Sequence, residues 1–441
     1  MKYRKIIAAS IFTFCMHNSV TAQEVKKLNV KDAIDLSVKN NKQLKAGKAI
    51  IDIATATVKE AEDNRLPNFT VSGSYLRILS SSINLKSNSN NSGVNTGGGA
   101  PSVNQAAYGI ANLSYPVYAG GRIKYGIESA KYLEQAAKLD VDNDKEAVIL
   151  NTINAFANLY KSTLVITLIK ESLVSSRQRD SSFSDLEKNG LLARNDLLKT
   201  ELQTSNIELS LLDAENNHKV AEVNMNLMLG LPENTLLVAD SSGSHQNISL
   251  KSFEEYENLA LQNRNDIRAL TFRKQAANTA IKIAKAEGYP TIALTGGYIA
   301  AYVPNVVTIT NAINAGIGVQ YNLASLWKTN TKLDQAKARV AETEANEGQL
   351  NDAVRLQINR NYQNYLLSQK KIEVYNKALY QATENYRITK NKYDNSLVTT
   401  TDLLDAEVAL LQAKLNLSNA RVDALLAYYK LLQTAGLLAQ L

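Results

Sequence analysis

Over residues 396–436 the apolar positions fall on one stripe. Leu404, Val408, Leu411, Leu415, Val422, Leu425, Tyr429 and Leu432, with Ser418 completing the series, are spaced alternately four and three apart. That 3.5-residue repeat predicts a single long helix with a coiled-coil seam. Thr401 and Asp402 suit its start and Gly436 its stop. Two proline-free runs predict longer helices still, one from near Gly121 to Asn189-Gly190 and one from near Trp327 to Asn395-Ser396. In the first, Leu150, Ile153, Ala157, Tyr160 and Leu164 keep helical spacing. Each run is about 68 residues, roughly 100 Å at 1.5 Å per residue. Elsewhere the period is two. Ile313, Ala315, Ile317, Val319, Tyr321 and Leu323 alternate with Asn314, Gly316, Gly318, Gln320 and Asn322. Ile292, Leu294, Gly296, Tyr298, Ala300 and Tyr302 alternate likewise, as do Phe69, Val71, Gly73 and Tyr75, and Ala111, Leu113, Tyr115 and Val117. These read as strands of about ten residues with one apolar face.

The pattern occurs twice. From Tyr115/Tyr321 to Leu231/Leu437 the two halves align without a gap at an offset of 206, pairing Asp196-Leu197-Leu198 with Asp402-Leu403-Leu404 and Gly230 with Gly436. The front parts align at 223, pairing Leu36 with Leu259, Pro67 with Pro290 and Tyr75 with Tyr298, so the first copy carries 17 extra residues between Tyr75 and Tyr115. They fall in residues 80–104, a Ser/Asn/Gly-rich stretch that reads as a long polar loop. A duplication of this size is an architecture rather than a local motif. Repeat 1 is placed at 23–230, with a helix over 29–66, strands over 68–79 and 105–118, a long helix over 121–189 and a helix over 195–229. Repeat 2 is placed at 252–441, with a helix over 252–288, strands over 290–303 and 311–323, a long helix over 326–395 and a helix over 401–435. Residues 231–251 connect them. Asn29 with Asp32, and Ser252 with Glu255, mark the first helix of each copy with capping patterns.

The first 22 residues read as a secretion leader. Lys2, Arg4 and Lys5 precede an apolar run, and Val20-Thr21-Ala22 offers a cleavage site before Gln23. Removing three basic residues and no acidic one takes the formal charge from +7 to +4, too mild for a nucleic-acid partner. Cys15 leaves with the leader, and disulfide chemistry with it. Nothing later reads as a transmembrane helix, so a membrane role rests on the strands. Alone, those strands fit equally a soluble hairpin packed on its helices or a membrane barrel; the leader, the tyrosines near the strand ends and the duplication favour the barrel. Four strands cannot close a barrel, and open edges are not tolerated in lipid. Several chains must share one, and three chains give twelve strands.

At Tyr115-Pro116-Val117-Tyr118-Ala119-Gly120-Gly121-Arg122, at residues 190–198 and at residues 396–405, and in the duplication itself, the chain resembles the TolC family of outer-membrane channels. The likeness covers residues 28–437. It implies a fold that is mainly α with a small β part. Long antiparallel helices form a trimeric periplasmic α-barrel tunnel. Four strands per chain enter a shared twelve-stranded outer-membrane β-barrel, and residues 231–251 join an equatorial belt. The implied function is the exit channel of a tripartite efflux or type I secretion system, conducting passively what an inner-membrane pump delivers through a periplasmic adaptor. The implied partners are two further copies in a homotrimer, that adaptor, that pump and outer-membrane lipid, with no cofactor. The rival is a periplasmic coiled-coil scaffold or adaptor protein.

The family positions carry over residue by residue. Asp402 and Asp405 match the acidic rings that close the tunnel; the alternative for Asp402, and equally for Asp196, is helix capping in a first turn. Asp196 and Tyr393 match gate links between helices, against ordinary packing for Tyr393. The matching arginine is missing, and Val398 stands in its place. Gly190, Leu191, Leu192 and Ala193, with Ser396, Leu397, Val398 and Thr399, match the adaptor-docking tips, Gly190 being equally a C-cap glycine. No catalytic or metal site is expected. His218 and His245, the two histidines after the leader, have no metal-ligand spacing, and Gly97-Gly98-Gly99 lies in no strand-to-helix context.

Overall fold

The computed structural model describes residues 25–79, 103–240, 250–304, 307–327 and 330–438. The leader, residues 80–102 of the polar loop and residues 241–249 of the connecting segment lie outside the described residues. In order, the elements are β1 (Val25–Leu28), α1 (Val30–Asn40), α2 (Lys42–Asp63), β2 (Asn68–Arg77), β3 (Gln105–Tyr118), α3 (Arg122–Lys188), α4 (Arg194–Leu229), β4 (Leu236–Ala239), α5 (Phe253–Asn263), α6 (Asn265–Ala286), β5 (Thr291–Val303), β6 (Val307–Gln320), a 3-10 turn (Leu323–Leu326), α7 (Thr331–Asp394) and α8 (Thr400–Thr434). They divide into two compact units. One comprises residues 1–48, 140–266 and 350–441, the other residues 49–139 and 267–349.

The predicted first helix of each copy is two helices. At Asn41 the backbone is extended; its N–H still bonds Ser37 C=O, while its side-chain oxygen accepts from Gln43 N (2.8 Å) and Leu44 N (3.2 Å). One residue therefore ends α1 and caps α2. Arg264 occupies the matching place between α5 and α6. The outer caps are as the sequence indicates: Asn29 accepts from Asp32 N, and Ser252 and Glu255 close a capping box. The long helix of copy two begins at Thr331 rather than at residue 326, and the strand before it runs over Val307–Gln320 rather than 311–323. Copy one turns from strand to helix on Gly120 and Gly121, both at positive φ, where a Cβ on Gly120 would stand 2.7 Å from Ala286 C=O. Copy two has Leu326 and Trp327 at those places and uses the 3-10 turn, capped by Asn322.

In the first unit, β1 pairs in parallel with β4, and a core of Leu28, Ala33, Phe156, Leu159, Met225, Leu229 and Leu237 joins these strands to α1, α3 and α4. The predicted stripe of α8 is not the one the chain buries. Leu403, Ala406, Ala413, Leu417, Ala420, Ala424 and Leu431 are buried, one or two positions away from members of the leucine-rich series. Of that series Val422 and Leu432 are buried, and Leu404, Leu411, Leu415, Leu425 and Tyr429 are half-buried. The reason is steric: alanines let helices approach closely, and the bulkier stripe is left toward the surface.

In the second unit the sheet order is β2-β3-β5-β6, all antiparallel. Register puts Val71, Ala111, Tyr298 and Ile313 in one row across all four strands, and Phe69, Leu113, Gly296 and Ala315 in the next on the same face. The opposite face carries the row Thr70, Asn112, Gly297 and Asn314. The apolar face is open: Val71 is 73% exposed, Ile313 79% and Ile317 71%. Among the described residues no helix is long and apolar enough to cross a membrane.

Replacing fully buried Leu159 by Ala is expected to destabilise the first unit by about 2–5 kcal/mol, whereas Leu202→Ala, at an exposed site, stays within about 0.5 kcal/mol. Urea unfolding followed by circular dichroism checks both.

Candidate functional site

The tips of the two helical pairs are built from one turn used twice. At the end of α3, Gly190 takes a left-handed backbone (φ +73°) and Leu191 N–H bonds Leu186 C=O at 2.8 Å. At the end of α7, Ser396 takes the same conformation (φ +59°) and Leu397 N–H bonds Lys392 C=O at 2.9 Å. A serine there carries a strain of about 1–2 kcal/mol that glycine does not. Leu191, Ala193, Leu397 and Thr399 are exposed, as are Gly190 and Ser396, while Leu192 and Val398 are half-buried.

The helices that follow are capped differently. Thr399 is the N-cap of α8 and closes a capping box with Asp402: Thr399 N–H and hydroxyl donate to Asp402 Oδ2 (2.9 and 2.7 Å), and Asp402 N–H donates to Thr399 Oγ1 (3.2 Å). The Thr399 hydroxyl, and then its N–H, hold the Asp402 carboxyl below its ordinary range. Its charge therefore persists as pH falls, until the lowered value is passed. Ala193 caps α4 with no side-chain bond, and Asp196 instead pairs with Lys199 at 3.1 Å. Asp402 thus closes a side-chain cap, whereas Asp196 stands in the first turn of α4, where the helix dipole favours it, without a capping bond. Asp405 lies three residues on from Asp402 and is exposed. Tyr393 stacks on Phe183 (centroids 5.5 Å apart, planes at 17°) over a small core of Phe183, Leu197 and Leu403, and its hydroxyl lies 3.4 Å from Thr400 Oγ1. Among the described residues of one chain, no hydrogen bond joins Asp196 to Tyr393.

Behind this core lies a polar chain that the periodicity did not indicate. Arg179 on α3 donates from Nη1 to Glu407 Oε2 on α8, both side chains being only 11% exposed. From Nη2 it donates to Ser176 Oγ at 2.6 Å. Ser176 shares a short hydrogen bond with Thr204 on α4, and Thr204 Oγ1 donates in turn to Asp180 Oδ2. Each hydroxyl accepts once and donates once, so one directed run links three helices. Burial pushes the Arg179 guanidinium below its ordinary value, and Asp180, Tyr386 and Tyr393 oppose that. Arg179 Nε and Asp180 Oδ1 are buried with no partner among the described residues. A buried pair of this kind adds little net stability, but removing one member strands a charge. Its effect is to set the register of α3 against α8. The one sequence signal was Glu407, a charge four residues after Leu403 on what became the buried stripe.

Among the described residues no group of His, Cys, Asp and Glu could hold a metal, and His218 Nδ1 lies 2.8 Å from Ser162 Oγ. The family described as outer membrane efflux protein matches residues 33–231 and 257–437, the greater part of both copies. The chain belongs to that family. It is 29% identical over 254 residues to nodulation protein T of Rhizobium leguminosarum bv. trifolii, a match covering 56% of this chain and 50% of that protein. The chain thus spans about half the length of that relative. Its backbone is similar to the outer-membrane channel OprN (TM-score 0.77, 17% identity, 92% of this chain and 89% of that one). It is also similar to the outer membrane protein VceC of Vibrio cholerae (TM-score 0.74, 19% identity, 92% and 96%). At these identities the likeness establishes the fold, and the family is one of channels rather than enzymes.

Glu407→Ala is expected to destabilise the tip by about 3–5 kcal/mol, read as lost amide protection over residues 176–183 and 400–407. Replacing Arg179 and Glu407 together by Leu is expected to recover most of that loss in a double-mutant cycle.

Proposed function

We propose that this chain is one subunit of a homotrimeric outer-membrane exit channel. It conducts passively what an inner-membrane pump delivers through a periplasmic adaptor, in efflux or in type I secretion. The observation that carries the reading is the sheet, which exposes an apolar face and, among the described residues, leaves β2 and β6 as its edges. An exposed apolar face of this extent is stable against lipid, and open edges in lipid are satisfied only by further strands. Three copies of four strands close a twelve-stranded barrel. The half-buried leucine stripe of α8 supports the same assembly, since it offers a coiled-coil seam to a neighbouring chain. The helical part extends into the periplasm, with residues 231–251 in its belt, and residues 1–22 are the leader that directs export.

At the tip, Asp402 and Asp405 supply two rings of three carboxylates that attract cations at the narrowest point. Both are exposed, and Asp402 does its capping work while keeping its charge. Asp196 and Tyr393 serve as gate links, with Val398 leaving the arginine's part of the lock unfilled. Gly190, Leu191, Leu192 and Ala193, with Ser396, Leu397, Val398 and Thr399, receive the adaptor; exposed Leu191 and Leu397 suit docking.

Outer membranes extracted in mild detergent are expected to give a band near three times the monomer mass that collapses on boiling; a soluble monomer would sink the reading in favour of a periplasmic scaffold. In planar bilayers, Asp402→Ala combined with Asp405→Ala is expected to weaken cation selectivity and divalent block several-fold. Unchanged selectivity would remove the ring assignment while leaving the channel standing.

A further inference from the structure

The break between α5 and α6 is a knot of polar groups in the first unit. Arg264, extended between the two helices (ψ 126°), donates to Asp266 twice, Nε to Oδ1 at 3.0 Å and Nη2 to Oδ2 at 2.6 Å. Its Nη1 reaches Gln357 Oε1 on α7 and Thr434 C=O at the end of α8, both at 3.1 Å. Gly436 closes against it, and a Cβ there would stand 3.0 Å from Arg264 N. Asn361 on α7 holds the Thr434 hydroxyl from the other side at 2.6 Å. One guanidinium thus ties the break to the ends of two other elements.

Into this knot α3 brings Glu146, only 5% exposed, which accepts from Asn265 Nδ2 at 3.1 Å. The charged groups acting on it are Arg264 and Asp266 from the break and Asp142 from its own helix. The elements α7 and α8 reach the knot through Gln357 and Thr434, which carry no charge. Among the charged groups of the described residues that act on Glu146, Arg264 is the cation, already engaged by Asp266, and Asp266 and Asp142 are the acids.

We propose that Glu146 is a proton-operated brace on this knot. Protonated, it accepts from Asn265 as a neutral carboxyl and leaves Arg264 to Asp266, Gln357 and Thr434. When its proton passes to solvent, the second anion competes for Arg264 and loosens that hold. Burial, the largest influence, raises Glu146 from an ordinary 4.5 to about 7; Arg264 opposes this, and Asp266 and Asp142 add to it. The sign follows. The folded value lies above the unfolded one, so the contribution to stability is full below 4.5 and is lost as pH rises through about 7. The brace is tight in mild acid and slack in mild alkali.

The test is amide exchange on the full chain in detergent, corrected for the intrinsic pH dependence of exchange, with peptides covering residues 257–268 and 430–436. Between about pH 5.5 and about pH 8.5, protection there is expected to fall roughly tenfold in the wild type. In Glu146→Gln, which keeps the acceptor for Asn265 and cannot ionise, protection is expected to stay high and flat. An infrared carboxyl band lost near neutrality in the wild type and absent from the variant is the independent reading, obtained even where the variant folds poorly. Protection in the wild type that ignores pH, a variant that follows the wild-type curve, or a Glu146 carboxyl that ionises in the ordinary carboxylate range would each overturn the proposal. None of these readouts depends on channel activity.

Discussion

An antiparallel sheet that exposes its apolar side chains cannot stand by itself in water. Val71, Ile313 and Ile317 lie on one open face, and among the described residues no strand pairs with the outer edges of β2 and β6. Both are unfavourable: apolar area costs roughly 25 cal/mol per Å² left in water, and each stranded amide costs more still in lipid. The remedy is a fatty surrounding for the face and more strands for the edges. The rest of the proposed architecture, from shared barrel to repeated subunit, is a consequence of that one requirement.

The helical unit answers to a different constraint. Helices of this length need registration along their whole run, and a periodic seam alone permits slippage by a heptad. The molecule registers them with a few polar contacts at specific heights. Near the tips it uses Arg179 and Glu407 with the Ser176, Thr204 and Asp180 run. Farther along it uses Arg264 and Glu146. Both clusters join elements distant in sequence, and both carry groups whose burial is costly. Such contacts add specificity more than stability. They are also where protonation or substitution acts most strongly.

The two stretches that align in the sequence reach similar local geometry by different means. Copy one turns from strand to helix on two glycines and copy two on a 3-10 turn. Gly190 is matched by a strained Ser396, and the capping box of Thr399 and Asp402 by an uncapped Ala193. The aligned stretches are therefore alike in backbone and unlike in how each turn and helix start is held. Copy two has the anchored carboxylate at its tip, and copy one has the relaxed turn.

Much of this was legible from residue order because it depends on neighbours in the chain. The long helices, the alternating strands, the paired turns at 190 and 396 and the caps at Asn29 and Ser252 follow from periodicity and local hydrogen bonding, which act over a few residues. The three-residue spacing of Asp402 and Asp405 puts them on one face of one turn for the same reason. Three things depended on contacts across the fold. The stripe of α8 that the chain buries was decided by how closely alanines let helices approach, and it lies one or two positions from the stripe that hydrophobicity singled out. The break at Arg264, held by Gln357 and Thr434, interrupts a helical pattern whose periodicity continues through it. The pairings of Arg179 with Glu407 and of Glu146 with Asn265 join residues 228 and 119 positions apart. No periodicity encodes such a meeting, because a buried charge is tolerated only where distant elements bring it a partner.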